Sequence, residues 1–149
     1  MTEIYVDADA CPVKDEVLRV GARHGLTMHI VGNSWLRMPD SPLINSVVVA
    51  AGPDAADDWI AEHVGDGDIA ITGDIPLAAR CLQAGALTMD HKGKAFTPDN
   101  IGMALSMREL KSHLRETGEI RDAGPGFTKQ DRSNFLQALE TAVQRAKRG

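Results

Sequence analysis

Four aspartates fall where apolar, strand-like runs come to an end. Asp7 and Asp9 close the run Ile4-Tyr5-Val6-Asp7-Ala8-Asp9, and Asp74 closes Ile69-Ala70-Ile71-Thr72-Gly73-Asp74. Asp57 follows the valine run Val47-Val48-Val49 by way of Gly52-Pro53-Asp54. In a parallel α/β sheet, the crevice beyond the carboxyl ends of the strands is the usual ligand site. Carboxylates gathered there repel one another, and they persist only if protonated or neutralised by a cation. Hard oxygen donors of this kind suit Mg²⁺ or Mn²⁺. The pattern predicts a metal-dependent site acting on phosphate esters, with Asp7, Asp9, Asp57 and Asp74 as its metal ligands and catalytic groups.

Some of these aspartates also have a local use. Asp9 precedes Pro12 and suits a helix cap, whereas a lone carboxylate at the strand end of Asp7 has no such use and is costly to bury. Asp74 precedes Ile75-Pro76 and is expected to be an N-cap, a role that leaves its second oxygen for a ligand. Asp54 is expected to cap the helix after the valines. Trp59 and Ile60 must face the core there, so Asp57 is assigned to the crevice and Asp58 to water.

Lys14, Asn33, Ser34 and Arg132 are the expected phosphate contacts, with Arg37, Lys92 and Lys94 as further polar candidates. Neither GxxxxGK[ST] nor GxGxxG occurs, and the five histidines lack zinc spacing. His24 and His113 are read as surface residues, and Cys11 and Cys81 as structural thiols rather than nucleophiles. Aromatic residues are few, so a platform for stacking bases would be thin.

The 149 residues suit one domain, 1–149, and 43% apolar with 25% charged residues fits a soluble globular chain. With no membrane-length apolar run and no signal-peptide pattern, a cytoplasmic location is expected. The net charge of −5 conceals an asymmetry. Residues 1–90 hold 5 Lys/Arg against 14 Asp/Glu, and residues 91–149 hold 11 against 7. An acidic half able to hold cations thus adjoins a basic half able to meet phosphates, and nucleic acid is a candidate partner.

The elements that must position the aspartates alternate between β-rich runs and helical periodicity. Strands are predicted at Glu3–Val6, Thr27–Val31, Ser46–Ala50, Asp68–Thr72 and Ala86–Met89, the three valines implying burial of the third on both faces. Helices are predicted from Pro12 to Gly25, after Asp54, over Ile75–Ala84, from Thr97 to about Glu116, and from an Asp131 cap onward. Phe135, Leu136, Leu139, Ala142 and Val143 form the core face of the last helix. His91–Lys94 is read as a turn and Thr117–Lys129 as a long irregular connection.

Val6-Asp7-Ala8-Asp9-Ala10-Cys11-Pro12-Val13-Lys14, Gly52-Pro53-Asp54-Ala55-Ala56-Asp57, Ile71-Thr72-Gly73-Asp74-Ile75-Pro76-Leu77-Ala78 and Asp131-Arg132 together resemble the bacterial YaiI/YqxD family over nearly the whole chain. That family is similar to PIN-like domains, three-layer α/β/α nucleases that hold Mg²⁺ or Mn²⁺ on clustered acids. The resemblance implies such a sandwich around a mainly parallel sheet, and a metal-dependent nuclease acting on RNA more readily than DNA. By position, Asp7 matches the acid closing the first PIN strand, Asp74 the acid of the Thr-x-Asp segment, and Asp57 the mid-chain acid. Asp9 is an additional acid, and Asp90 is the remaining candidate for a fourth PIN position. Two rival readings stand beside this one. A phosphatase of the haloacid dehalogenase type would use Asp7 as nucleophile and Asp9 as acid/base, and a non-catalytic module would bind RNA or protein.

Overall fold

Alternation along the first strand sets the layers of the structure, a computed structural model describing residues 2–9, 11–35, 37–50, 54–116 and 127–148, and the side chains of 108–116 are not among them. In β1 (Ile4–Asp7), Ile4 and Val6 are fully buried against one helical layer while Tyr5 faces the other. The first layer comprises α1 (Lys14–His24) and α5 (Lys129–Arg148), which with the N-cap residue Val13 contribute Val17, Val20, Phe135, Leu139 and Val143. The second layer includes α2 (Ala55–His63) and α3 (Ile75–Gln83), contributing Ala56, Ile60, Leu77 and Cys81. A further helix, α4 (Pro98–Glu116), packs beside α3. This is the three-layer α/β/α sandwich predicted from the alternating pattern.

Between the layers lie β1, β2 (Met28–Gly32), β3 (Ile44–Val48), β4 (Ile69–Ile71), β5 (Leu87–Met89) and β6 (Ala95–Phe96). Their order is β3-β2-β1-β4-β5-β6, parallel except for β6, which runs antiparallel to β5. The chain winds outward from β1 to β3 and then returns to the other side of β1 as β4. Such a reversal opens a crevice at the carboxyl ends of the two central strands. Helix boundaries follow local chemistry: Gly25, at φ 67°, stops α1, and Asp74 accepts the Leu77 N–H at 3.0 Å to cap α3.

Several sequence expectations need correction. The third strand begins at Ile44 rather than Ser46, because its ladder with β2 pairs Met28 with Ile44. Burial of the valine run on both faces does not hold. β3 is the sheet edge, and Val48 is 52% exposed. The predicted turn at His91–Lys94 is the tip of a hairpin whose second arm, β6, was missed; two residues carry too little alternation to signal a strand. Gly93, at φ 85°, permits that tip, and a Cβ there would stand 2.8 Å from the Asn134 carbonyl oxygen on α5.

Asp54 occupies the N-cap position of α2 without a side-chain capping bond. Asp131 is not the N-cap of α5. Thr128 holds that place, and the two residues exchange N–H···O bonds of 3.0 Å as a capping box. His24 is no free surface residue, since it meets Glu140 at 2.7 Å with its side chain 14% exposed. The irregular segment lies outside the described residues over 117–126, as does the His113 side chain.

Candidate functional site

Register brings the first two acids of the crevice together. Val6 pairs with Ile71, so one step further along the strands Asp7 lies opposite Thr72. The Thr72 hydroxyl donates to Asp7 Oδ2 at 3.0 Å and accepts the Asp74 N–H at 2.9 Å. A single buried threonine thereby ties the end of β1 to the cap of α3. Burial pushes the Asp7 carboxyl above its ordinary value, and the charges of Asp9 and Asp74 add to that push. The Thr72 hydrogen bond opposes them.

Asp57, in the first turn of α2, turns toward the same crevice. Its carboxyl is pushed up to about 7, first by desolvation and then by the charges of Asp74, Asp7 and Asp54, with Arg80 pulling the other way. A helix N-terminus ordinarily favours a negative charge, and here burial together with these neighbours outweighs that preference. Asp58, the next residue, faces outward and pairs with Arg80 at 2.8 Å at the surface. Of the two neighbours, Asp57 thus feels the charges of Asp74 and Asp7, and Asp58 is paired at the surface.

Asp9 is exposed at the rim, where its Oδ1 accepts the Asn33 N–H at 3.2 Å instead of capping α1. Asn33 in turn donates its side-chain amide to the Ala50 carbonyl at 3.1 Å, joining the exits of β2 and β3. Ser34 is exposed in the bend beside it. Lys14 Nζ donates to the Cys11 carbonyl at 3.0 Å, near both the Cys11 thiol and the His91 ring.

Arg132 is engaged away from the aspartates. Its guanidinium meets Glu16 at 2.5 Å and the Pro12 carbonyl at 3.0 Å, and lies 5.1 Å above the Phe127 ring. Asp90 folds its Oδ1 onto the N–H groups of Lys92 and Lys94, both at 2.9 Å, and so shapes the hairpin tip. Burial pushes the Cys11 thiol up and the Cys81 thiol up to about 12, which keeps both protonated at neutral pH, as structural thiols should be.

Two residues of the site were missed from sequence. Thr72 is the bridge, and its signal was a polar β-branched residue closing an otherwise apolar strand. His91 follows β5, the next strand after β4, and its ring lies 3.4 Å from where a Cβ on Gly73 would stand. Burial lowers its pKa, favouring neutral imidazole.

Among the described residues, no three carboxylate, imidazole or thiolate groups stand close enough to enclose one cation as placed. In kind, the donors do fit a hard divalent ion, being oxygen ligands whose mutual repulsion a cation would relieve. Among the described residues, no helix is long and apolar enough to cross a membrane.

Residues 5–145 match the uncharacterized BCR, YaiI/YqxD family. A UPF0178 protein of Parvibaculum lavamentivorans is 62% identical over 148 residues, covering 99% of this chain and 97% of its own length. UPF0178 proteins of Rhodospirillum rubrum and of a Caulobacter species are each 56% identical, covering 99% of this chain and 99% and 98% of their own lengths. No solved structure matches the chain. Matched by that family model over residues 5–145 and by these relatives nearly end to end, the chain belongs to the YaiI/YqxD family.

Proposed function

We propose that this protein is a metal-dependent nuclease of PIN-like type, hydrolysing phosphodiester bonds in RNA more readily than in DNA. The observation that carries the reading is the grouping of Asp7, Asp57 and Asp74 at the β1/β4 reversal, where burial, with the charge of Asp74 adding to it, raises the proton affinity of Asp7 and Asp57. A Mg²⁺ or Mn²⁺ ion held by Asp7, Asp57 and Asp74, with Asp9 at the rim, would polarise the scissile phosphate and lower the pKa of a bound water.

The remaining work falls to the chain's own groups. Thr72 orients the Asp7 carboxylate. Capping uses Oδ1 of Asp74, so Oδ2 can serve a ligand. Without metal, burial and the charges of Asp74 and Asp7 push the Asp57 carboxyl up to about 7, so ligation there would displace a proton. Lys14, held by the Cys11 carbonyl, and Asn33 and Ser34 at the end of β2 would steady the phosphate backbone. Arg132 has no part in this account because its guanidinium secures α5 to α1.

Cleavage of single-stranded RNA with Mn²⁺ tests the proposal. Wild type should cut, and Asp74→Asn should lose roughly a hundredfold or more of the rate while remaining folded. Undiminished cleavage by Asp74→Asn would overturn it. A covalent phosphoenzyme would favour the phosphatase reading, and metal binding without hydrolysis would favour a binding module.

A further inference from the structure

A cleft of about 660 Å³ adjoins the aspartates, between the β5–β6 hairpin, the head of α3 and the first half of α4. Its volume lies within the range of about 300–1,000 Å³ usual for small-ligand sites. The lining is graded. Met103 and Met107, one turn apart on α4, are 73% and 46% exposed and form an apolar wall above Phe96. Lys92 and Lys94 stand on the hairpin side, Lys92 also 3.9 Å from Asp131. Between these walls His91 Nε2 is shut from solvent without a hydrogen-bond partner in the described structure.

The other polar side chains described in the lining already have partners within the chain. Asp90 accepts from the Lys92 and Lys94 backbone, while Asn100 bonds to Thr97 and to the Ala95 carbonyl. Among the described residues, what the cleft offers a ligand is therefore two ammonium groups and a pair of thioethers beside the His91 ring. That combination suits a phosphate joined to a flat apolar body. Thioethers are polarizable and adapt to a ring of any outline, so they can carry bases without selecting among them. Gly73 lines the same cleft and immediately precedes Asp74, so a strand lying here would run straight into the crevice.

We propose that this cleft seats one nucleotide of the bound strand, its phosphate against Lys92 and Lys94 and its base on Met103 and Met107. The proposal rests on the nucleic-acid reading above but can be tested apart from hydrolysis. Protein labelled at the methionine methyls, kept in EDTA, would be titrated by NMR with uridine 5′-monophosphate and, separately, with inorganic phosphate.

The nucleotide should shift the Met103 and Met107 methyl signals saturably, and phosphate should shift them less. Lys92→Ala/Lys94→Ala should weaken nucleotide binding roughly tenfold or more. Met103→Ser/Met107→Ser should weaken nucleotide but not phosphate binding. All four side chains are exposed, so the variants should fold. Unmoved methyls, or shifts indifferent to loss of the lysines, would overturn the proposal and leave the methionine wall to a protein partner. Seating of the nucleotide in a protein that cuts no RNA would sustain the cleft and remove the nuclease. Cleavage with unmoved methyls would do the reverse.

Discussion

Two regions of this molecule draw acidic side chains partly or wholly out of water, and they treat them in opposite ways. Along the seam between α1 and α5, each carboxylate has a cation. Glu16, its side chain 6% exposed, meets Arg132 at 2.5 Å, and Glu140 lies between His24 at 2.7 Å and Arg23 at 3.3 Å. At the β1/β4 reversal, Asp7, Asp57 and Asp74 are grouped with one another, and Arg80, the cation acting on Asp57, is held at the surface by Asp58. The seam spends its charges on holding two helices together. The crevice accumulates a repulsion that folding does not need and that an arriving cation would relieve.

Substitutions can break this contrast, beginning with activity. Asp7→Asn should lower RNA cleavage by about a hundredfold to a thousandfold, some 3–4 kcal/mol in the barrier, while raising stability near neutral pH because one repelling charge is gone. Paired rate and denaturation measurements check both directions at once. A variant that lost activity together with stability would place Asp7 among the structural charges instead.

The seam should behave in reverse. Arg132→Met leaves Glu16 buried without its partner, and unfolding in urea should show a loss of about 2–3 kcal/mol, moderated because Arg132 is 44% exposed. RNA cleavage by the remaining folded protein should be unchanged. A rate loss greater than the stability loss explains would restore Arg132 as a phosphate contact.

Asp57 gives the comparison a pH signature. Its carboxyl is raised from an ordinary 3.8 to about 7, so the folded state without metal holds the proton more tightly than the unfolded chain. Below about pH 4 the proton is bound in both states and the favourable contribution is complete. It is lost progressively as pH rises through 7. Asp57→Asn should therefore match wild type near pH 4 and be more stable at pH 8, by about 1 kcal/mol once solvent screening is allowed for. Denaturation at the two pH values checks this, and equal stability at pH 8 would mean that the repulsion is already relieved.

The smallest effect is expected one residue on. Asp58→Asn breaks only the surface pair with Arg80, and stability should change by less than about 0.5 kcal/mol, with cleavage unaltered. Neighbouring aspartates with opposite outcomes would sharpen the distinction between crevice and surface.

How far the sequence foretold this arrangement depended on the range of the interactions involved. Period-two and helical patterns reached the five helices and five of the six strands among the described residues, and the layering, because one buried face repeats within a few residues. The same patterns separated Asp57 from Asp58, since Trp59 and Ile60 fix the orientation of α2. Strand order lies beyond such patterns, so the edge position of β3 went unseen and its valines were taken for a fully buried strand. Arg132 illustrates the same limit, because its partner Glu16 lies 116 positions away. Thr72 and His91 escaped notice because their roles arise only when β1, β4 and β5 lie side by side.

The most direct measurement is calorimetric titration of Mn²⁺ at pH 7 in two buffers of different ionisation enthalpy, comparing wild type with Asp7→Asn/Asp74→Asn. Wild type should bind saturably and release a fraction of a proton as the cation displaces it from Asp57, and the double variant should do neither. An absence of binding by wild type, even with single-stranded RNA present, would contradict the account and reduce the aspartates to a cap, a brace and surface charge.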